Sequence, residues 1–290
     1  MNGIIVLNKP QGITSFDAIR RLRNIIKEKK VGHTGTLDPL ATGVLPVMIG
    51  RATRFIELLP VSDKSYRAKI LLGKTTDTLD STGKVLSETT PDCTPDKFKT
   101  VMADFIGEIE QVPPMYSAIQ KDGVRLYELA RQGIEIEREA RKITIYNIDF
   151  LGHYGNEYEI RVDCSAGTYI RSLAADIGEK LGCGAIITEL ERLSANGFTK
   201  AYTLEEIEEA VKNNKLNEII IDTDKALTAY DDVVVSVSQA KRFKNGGELF
   251  VNRLKKKIGT GLYRVYSPDN VFLGIGENSD GELLKIRKNF

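Results

Sequence analysis

The stretch "RKITIYNIDFLGHYGNEYEIRVDCSAG" (141–167) contains two runs of alternating apolar and polar residues, separated by a turn around Gly155-Asn156. Alternation with a period of two is typical of strands with one buried face, and a short turn joins such strands into an antiparallel hairpin. The next stretches, "TYIRSLAADIGEKLG" (168–182) and "AIITELERLS" (185–194), predict a helix and a further strand. A hairpin, a helix and a strand in succession indicate an α+β fold.

The residues on either side of this stretch show the same mixture. Helix signals include a capping box formed by Thr203 and Glu206, and an amphipathic segment that we expect Ser15 to cap. The other predicted elements are strands over 3–7, 44–50 and 65–73, and helices from about 15, over 52–59, over 95–107 and over 203–213. We therefore predict that residues 1–230 form one domain with a mixed, largely antiparallel sheet flanked by helices.

The segment 231–290 differs in character from the rest. Its short candidate strands, "VVVSV", "ELFVN", "LYRVYS", "VFLGIGE" and "LLKIRKNF", alternate with Gly-rich turns and predict a small β-rich second domain. Residues 233–290 carry eleven Lys or Arg against five Asp or Glu, whereas residues 201–232 carry three Lys against nine acidic residues. The net charge of +1 therefore conceals opposing patches. A polyanionic partner is compatible with them, and so are ordinary solvated surfaces.

Several classes of protein are excluded by simpler features. No apolar run approaches the roughly 20 residues that cross a bilayer, and the N-terminus lacks the features of a signal peptide. Cys93, Cys164 and Cys183 have no CxxC spacing, which argues against a disulfide framework or a zinc site and fits a reducing cytoplasm. Four stretches partly resemble known motifs but depart from them. "LLGKTTD" departs from the phosphate loop, "DCSAG" from the nucleophile elbow, "LGIGENSDG" from the dinucleotide-binding pattern and "DTLDSTG" from the calcium loop. No metal or cofactor is predicted.

The stretch "GHTGTLDPLATGVL" (32–45) surrounds Asp38 with glycines and threonines. Pro39 biases the aspartate toward extended backbone, and the predicted strand 44–50 follows closely. Small residues at a sheet edge let a ligand approach, and a carboxylate there can act as nucleophile or base when a cation orients it. A structural Asx turn explains the same composition. The local residues leave both interpretations open.

The same stretch closely resembles the signature of the TruB family, the tRNA pseudouridine-55 synthases. Further blocks match that family in the same order: "LNKPQGITS" (7–15), "SDKSYRAKILLGKTTDTLDSTG" (62–83), "GTYIRSLAADIGEKLGCGA" (167–185) and "LERLSANGF" (190–198). The resemblance covers residues 3 to 200, and the tail from about 231 more loosely resembles the PUA-type RNA-binding module of bacterial members. It implies the pseudouridine synthase fold with a C-terminal PUA-like domain.

The resemblance implies an isomerase that breaks the uracil N1–C1′ bond, turns the base and rejoins it through C5, a reaction that needs no cofactor. Asp38 matches the catalytic aspartate, which either attacks C1′ or removes the C2′ proton. Arg171 matches the arginine that pairs with this aspartate, and Tyr66 matches a tyrosine that can stack on uracil and assist C5 proton transfer. The remaining implied substrate-site residues are His33, Tyr169, Leu190, Lys9 and Pro10.

The resemblance also implies how the RNA is held. The target base lies inside the tRNA T loop and must be extruded, with His33 occupying space near the flipped bases. Residues 112–141 match the family's RNA-binding insertion, and the basic tail would contact the tRNA near its acceptor end. The family precedent implies a cytoplasmic monomer with no obligatory protein partner, no membrane association, no cofactor and no metal.

Three alternatives remain open. Archaeal-type relatives modify ribosomal RNA with guide RNA and protein partners. A non-catalytic RNA-binding or RNA-folding protein would have the same fold and basic surface. A glycosidase would need a second carboxylate opposite Asp38, for which Asp77 and Asp80 are candidates by composition only.

Overall fold

The computed structural model describes residues 1–60, 62–121 and 123–290, so residue 122 of the predicted insertion 112–141 lies outside the described residues. Its strands are β1 (Gly3–Lys9), β2 (Val31–His33), β3 (Thr42–Ile49), β4 (Lys64–Leu72), β5 (Lys74–Thr76), β6 (Val85–Glu88), β7 (Gly107–Gln111), β8 (Gln120–Lys121), β9 (Val124–Arg125), β10 (Arg141–Tyr154), β11 (Glu157–Cys164), β12 (Ala185–Ala195), β13 (Asp231–Val234), β14 (Leu249–Phe250), β15 (Gly261–Tyr266), β16 (Phe272–Asn278) and β17 (Leu283–Asn289).

Its α-helices are α1 (Ser15–Ile26), α2 (Pro95–Ala103), α3 (Leu126–Arg131), α4 (Ile170–Lys180), α5 (Leu204–Lys212), α6 (Leu216–Ile219) and α7 (Val237–Lys244). Short 3-10 helices span Gly50–Leu58, Thr223–Leu227 and Val251–Arg253. Among the described residues, no helix combines the length and the apolar character that a membrane span requires.

The larger sheet has the strand order β1-β3-β12-β4-β11-β10-β7, with β2 paired to β3. In the described part of the chain β3 and β12 run parallel, and the other neighbours run antiparallel. β10 and β11 form the predicted hairpin, in which Ile148 lies opposite Val162. The prediction of an α+β fold on a mixed, largely antiparallel sheet is confirmed.

The main apolar core joins this sheet to α1, α2, α4 and α5. Leu22, Phe98, Leu173 and Ile207, one from each helix, are fully buried. Burial of a side chain of this size contributes about 1.5–3 kcal/mol. The helices therefore hold the sheet rigid beneath the loops that carry the site.

The prediction that Ser15 caps α1 is wrong. Thr14 has the extended backbone of a cap residue, and its hydroxyl accepts a hydrogen bond from the Asp17 amide at 3.0 Å. Ser15 already lies inside the helix, where it is buried and bonded to both main-chain polar groups of Leu37. Of two adjacent hydroxyl residues, the one outside the helix caps it, and the other is free to hold the loop that contains Asp38.

Other boundaries also differ from the prediction. α2 ends at Ala103, because residues 104–106 form i→i−3 bonds and Gly107, at a φ of 111°, starts β7. The helix predicted over 52–59 is a 3-10 helix that begins at Gly50. The capping box of Thr203 and Glu206 is confirmed at the start of α5.

The smaller sheet has the order β13-β15-β16-β17-β14, and β13 pairs with β15 in parallel. The strand predicted from "VVVSV" ends at Val234, because Ser236 and Gln239 form a capping box that starts α7. α7 was not predicted, and its Phe243 is fully buried in the core of this sheet. The predicted β-rich character of the C-terminal segment is confirmed, with this helix added.

The two sheets share an apolar contact. Phe55 lies 5.6 Å from Phe272 and 5.9 Å from Phe290 between ring centroids, and Leu227 and Ile275 belong to the same buried cluster. Such aromatic pairs contribute about 0.5–1.5 kcal/mol beyond the area that they bury. The C-terminal sheet is therefore packed against the β1–β3 end of the larger sheet.

Candidate active site

A cavity of about 270 Å³ opens where loop 32–45, β4, β12 and the start of α4 meet. We call it the inner cavity. Five predicted site residues line it, namely Asp38, Tyr66, Tyr169, Arg171 and Leu190. Ligand pockets for drug-sized molecules begin at about 300 Å³, so this cavity suits a single ring rather than a large ligand.

Main-chain hydrogen bonds shape the loop that carries Asp38. The Ala41 amide donates to the Asp38 carbonyl at 3.1 Å and closes a turn, while the Gly12 amide donates to the Pro39 carbonyl at 2.8 Å. The carboxylate is not needed to close this turn and lines the cavity instead. The loop is therefore a main-chain turn rather than an Asx turn, and the Asp38 side chain is left to line the cavity.

Arg171 joins three segments of the chain. Its Nε lies 2.9 Å from Asp38 Oδ2, and its Nη1 lies 3.6 Å from Asp80 Oδ2. Nη1 also donates to the Thr78 carbonyl at 2.9 Å, and Nη2 donates to the Tyr116 carbonyl at 2.8 Å. Only 5% of the side chain is exposed. The planar guanidinium thus fixes the Asp38 carboxylate from the first turn of α4.

Asp80 is the second carboxylate at this guanidinium. It is buried, and its Oδ1 accepts hydrogen bonds from the Thr78 hydroxyl at 2.7 Å and from the Thr82 hydroxyl at 2.6 Å. The Thr82 amide donates to the same oxygen at 3.0 Å. Asp80 therefore lies near a different nitrogen of Arg171 from the one nearest to Asp38. Asp77 instead accepts from the amide of Lys84, at the exposed end of the same turn.

The ionisation of Asp38 reflects opposing influences. Burial of the carboxyl group raises the pKa of Asp38 above its usual range, and the negative charge of Asp80 adds to this rise. The positive charges of Arg171 and Lys9 oppose it. About a third of the Asp38 side chain remains exposed, and it lines the cavity.

Two tyrosines form walls of the inner cavity. Tyr66 on β4 is buried, and burial raises the pKa of its phenol to about 12, a rise that the nearby Arg192 opposes. Burial also raises the pKa of Tyr169 at the start of α4. Both phenols therefore remain neutral at physiological pH and offer flat faces on which a base can stack.

Lys9 and Pro10 lie beside the cavity rather than on its surface. Lys9 is fully buried, and its Nζ donates to the carbonyls of Pro10 at 2.9 Å and Ile13 at 2.8 Å. Burial lowers the pKa of Lys9 to about 8, while Asp38 opposes this change. Lys9 thus stabilises the turn that is bonded to the Asp38 loop.

His33 lines a second, larger space of about 820 Å³, which we call the outer cavity. Asp38 and Arg171 line both cavities. Phe16, Tyr116 and Tyr127 also line the outer cavity, together with basic residues Arg125 and Arg131 of the segment 112–133. Burial lowers the pKa of His33, which favours its neutral form. His33 therefore lines the outer cavity, which shares Asp38 and Arg171 with the inner one, as a ring whose neutral form is favoured.

Sequence reasoning missed several residues of this region. Ser117 lines both cavities and Lys64 lines the inner one, while Asp80, considered only as the second carboxylate of a glycosidase, holds Arg171. The available signal for Asp80 was its position in the block 62–83, which resembles the family. The described residues contain no cluster of three or more His, Cys, Asp or Glu suited to a metal ion.

Comparison with known families matches nearly the whole chain. Residues 23–170 match the description "TruB family pseudouridylate synthase (N terminal domain)". Residues 171–228 match "tRNA pseudouridylate synthase B C-terminal domain", and residues 232–286 match "Pseudouridine synthase II TruB, C-terminal". Three consecutive matches in order indicate one continuous likeness rather than a shared fragment.

Curated relatives are similar over their full length. The tRNA pseudouridine synthase B of Clostridium perfringens is 47% identical over 286 residues, which cover 97% of this chain and 96% of the relative. The protein of the same name from Dehalococcoides mccartyi is 44% identical over 278 residues, covering 95% and 92%.

Two solved structures resemble this fold throughout. A chain in the crystal structure of a Cbf5-Nop10-Gar1 complex matches with a TM-score of 0.76 and 27% identity. A chain in an H/ACA RNP bound to a substrate RNA containing 2′-deoxyuridine matches with a TM-score of 0.74 and 27% identity. Each match covers 99% of this chain and 84% of the other.

Proposed function

Because the chain belongs to the TruB family of pseudouridylate synthases, we propose that it converts a uridine of tRNA to pseudouridine and that its target is uridine 55 in the T loop. The named relatives that support the tRNA substrate are 44–47% identical to this chain. The chains from guide-RNA assemblies are 27% identical. The higher identity favours a tRNA enzyme that acts without a guide RNA or an obligatory protein partner.

Asp38 is the proposed catalytic residue. Its carboxylate either attacks C1′ as a nucleophile, or removes the C2′ proton so that the N1–C1′ bond breaks to give a glycal. Arg171 keeps the carboxylate ionised and aimed in both routes, because a cation at 2.9 Å favours the charged form. The detached base turns within the inner cavity and rejoins the sugar through C5.

The remaining cavity residues hold the base. Tyr66 stacks on the uracil and assists removal of the C5 proton after the new bond has formed. Tyr169 and Leu190 complete the walls of the cavity, and Lys9 and Pro10 support its floor. His33 occupies the space near the flipped bases. The small volume of the inner cavity supports this assignment, because it suits one pyrimidine ring.

Three parts of the chain share the binding of tRNA in this proposal. Residues 1–230 form the catalytic domain, within which the insertion 112–141 closes over the T loop. Residues 231–290 form a PUA-like domain that contacts the tRNA backbone. The excess of eleven Lys or Arg over five acidic residues in 233–290 supports an electrostatic contact of this kind.

The observation that carries the proposal is the ion pair between Asp38 and Arg171 at the wall of a base-sized cavity. The test is tritium release from tRNA transcript labelled at C5 of uridine. Wild-type protein should release tritium, and Asp38→Asn, which keeps the side-chain size, should be slower by about 10⁴-fold. Release by this variant at the wild-type rate would contradict the assignment.

Two substrates refine this test. A transcript with cytidine at position 55 should release no tritium above background, since U55 is the proposed target. An isolated T-arm hairpin should react without added protein or RNA. Failure of the hairpin, with reaction restored by a guide RNA, would instead indicate the guide-dependent class.

A further inference from the structure

β12 carries a second buried arginine, Arg192, two positions after the cavity residue Leu190. It is 1% exposed and is the largest fully buried side chain among the described residues. Its Nε donates to the Val44 carbonyl at 2.7 Å, and its Nη2 donates to the Gly35 carbonyl at 3.2 Å. Gly35 and Val44 flank Asp38 on either side. One guanidinium is therefore bonded to both ends of the loop that carries the proposed catalytic residue.

The charge of Arg192 has no acidic counterpart. In the described part of the chain no carboxylate forms an ion pair with it, and its buried Nη1 has no hydrogen-bond partner. Its charged neighbours Lys9 and Lys64 are also cations, and Arg192 lowers the pKa of each. Burial of an unpaired charge costs several kcal/mol, whereas a neutral side chain of the same length would fill the space without that cost. The charge therefore calls for an explanation beyond packing.

Tyr66 lies directly opposite Arg192 in the pairing of β4 with β12. Side chains of opposed residues in an antiparallel pair point to the same face of the sheet, with Cβ atoms about 5 Å apart. Nη1 also lies just behind the cavity wall, since a Cβ placed on Gly35 would be 3.6 Å from it. The positive charge thus lies behind the surface against which the base would bind.

We propose that Arg192 is a positioning residue, which clamps both ends of the Asp38 loop and holds a positive charge behind Tyr66. This inference rests on the proposed function. Arginine suits the role because its rigid fork reaches two carbonyls in different directions, and because it stays protonated when buried. A lysine would keep the charge but lose one arm of the clamp.

The first experiment measures single-turnover tritium release with enzyme saturating over labelled tRNA. Arg192→Gln should be slower than wild type by about 100-fold, the effect of removing one preorganised polar group from a site. Arg192→Lys should recover part of that loss, because it restores the charge. The dissociation constant for tRNA should remain within about threefold of wild type, since Arg192 contacts protein groups only.

Arg67→Gln is the matched control. Arg67 follows Tyr66 directly on β4, is half exposed, and forms ion pairs of 3.4 Å with Glu159 and Glu191. This variant removes an arginine from the same sheet without touching the Asp38 loop, so it should keep the wild-type rate. A wild-type rate for Arg192→Gln, equal rates for its Gln and Lys variants, or a loss confined to tRNA affinity would overturn the proposal.

Hydrogen exchange of the free protein tests whether Arg192 restrains the Asp38 loop, independently of catalysis. In Arg192→Gln, amides of residues 34–45 should exchange at least about tenfold faster than in wild type, while amides of the β10–β11 hairpin should be unchanged. Unchanged exchange in 34–45 would overturn the clamp. If wild-type protein released no tritium from any tRNA, the proposed function would fail, and this measurement alone would decide the clamp.

Discussion

Two buried arginines hold the same loop in opposite electrostatic settings. Arg171, on α4, lies within ion-pair distance of Asp38 and Asp80. Arg192, on β12, donates to main-chain carbonyls, lies beside the Tyr66 phenol and has other cations as its charged neighbours. Breaking a balanced ion pair leaves a buried charge behind, whereas removing an unpaired charge relieves its desolvation. Loss of Arg171 should therefore lower both the stability of the fold and the alignment of the proposed catalytic carboxylate, whereas loss of Arg192 should mainly affect that alignment.

The largest effect is expected for Arg171→Gln. Loss of the cation leaves Asp80 buried without its counter-charge and releases Asp38, so the free energy of unfolding should fall by about 3 kcal/mol and the rate by about 10³-fold. Urea unfolding and single-turnover tritium release measure the two quantities. Arg192→Gln should lose less stability than Arg171→Gln, and the reverse order would break the comparison.

Asp80→Asn sharpens the comparison from the acidic side. The amide oxygen can still accept from the Thr78 and Thr82 hydroxyls, so the turn should persist while half of the negative charge beside Arg171 is lost. We expect the rate to fall by about 10- to 100-fold. In the Arg171→Gln background the same change should have little further effect on the rate. Independent, additive losses would contradict a shared network.

Gly43→Ala tests the close approach of β3 to β12 next to Arg192. Gly43 has a φ of 101°, and an added Cβ would lie 2.3 Å from the Arg192 carbonyl oxygen. The strained backbone and the displaced strand should lower the free energy of unfolding by about 2 kcal/mol. Gly152→Ala is the control, because a Cβ there meets nothing within 4 Å. Equal stability of both variants in urea would show that a side chain is tolerated where β3 approaches β12.

Lys9→Met removes one of the cations near Arg192. Its effect on stability, seen in the pH dependence of unfolding, should be the smallest of these changes. The folded-state pKa of Lys9, about 8, lies below the ordinary lysine value of 10.5, so the unfolded chain binds more protons between these values. Wild-type stability should therefore rise with pH from 8 to 9.5, relative to Lys9→Met, by about 1.5 kcal/mol. Urea unfolding at several pH values measures this difference, and Lys255→Met, on an exposed lysine, is the control. A difference that falls with pH would reverse the assigned direction.

Local signals predicted the parts of the fold that depend on local interactions. The β10–β11 hairpin followed from alternation and its Gly155-Asn156 turn, and α5 followed from a capping box. α7 contains the same kind of box, Ser236 with Gln239, but it follows a run of valines whose strand propensity was given more weight. Boundaries therefore failed where two local signals competed within a few residues.

The residues of the site show what local signals do not predict. The block resemblance named Asp38 and Arg171, and these two side chains lie together. The roles of Asp80 and Arg192 were not predicted, although composition named Asp80 as a candidate, because these roles depend on contacts between segments distant in sequence. In an alternating strand Arg192 shares a face with Leu190, two positions earlier, but the sequence does not show that loop 35–44 covers this face. Nothing within β12 itself encodes that cover.

The bond from Arg171 to the Tyr116 carbonyl has a thermodynamic consequence. A single rigid group contacts the Asp38 loop, the Asp80 turn and the segment that borders the outer cavity, so a shift of one segment alters the free energy of the others. Such coupling is reciprocal. A ligand that shifted the Tyr116 segment would, through Arg171, also shift the Asp38 carboxylate, and a ligand that shifted the carboxylate would affect the segment by the same factor.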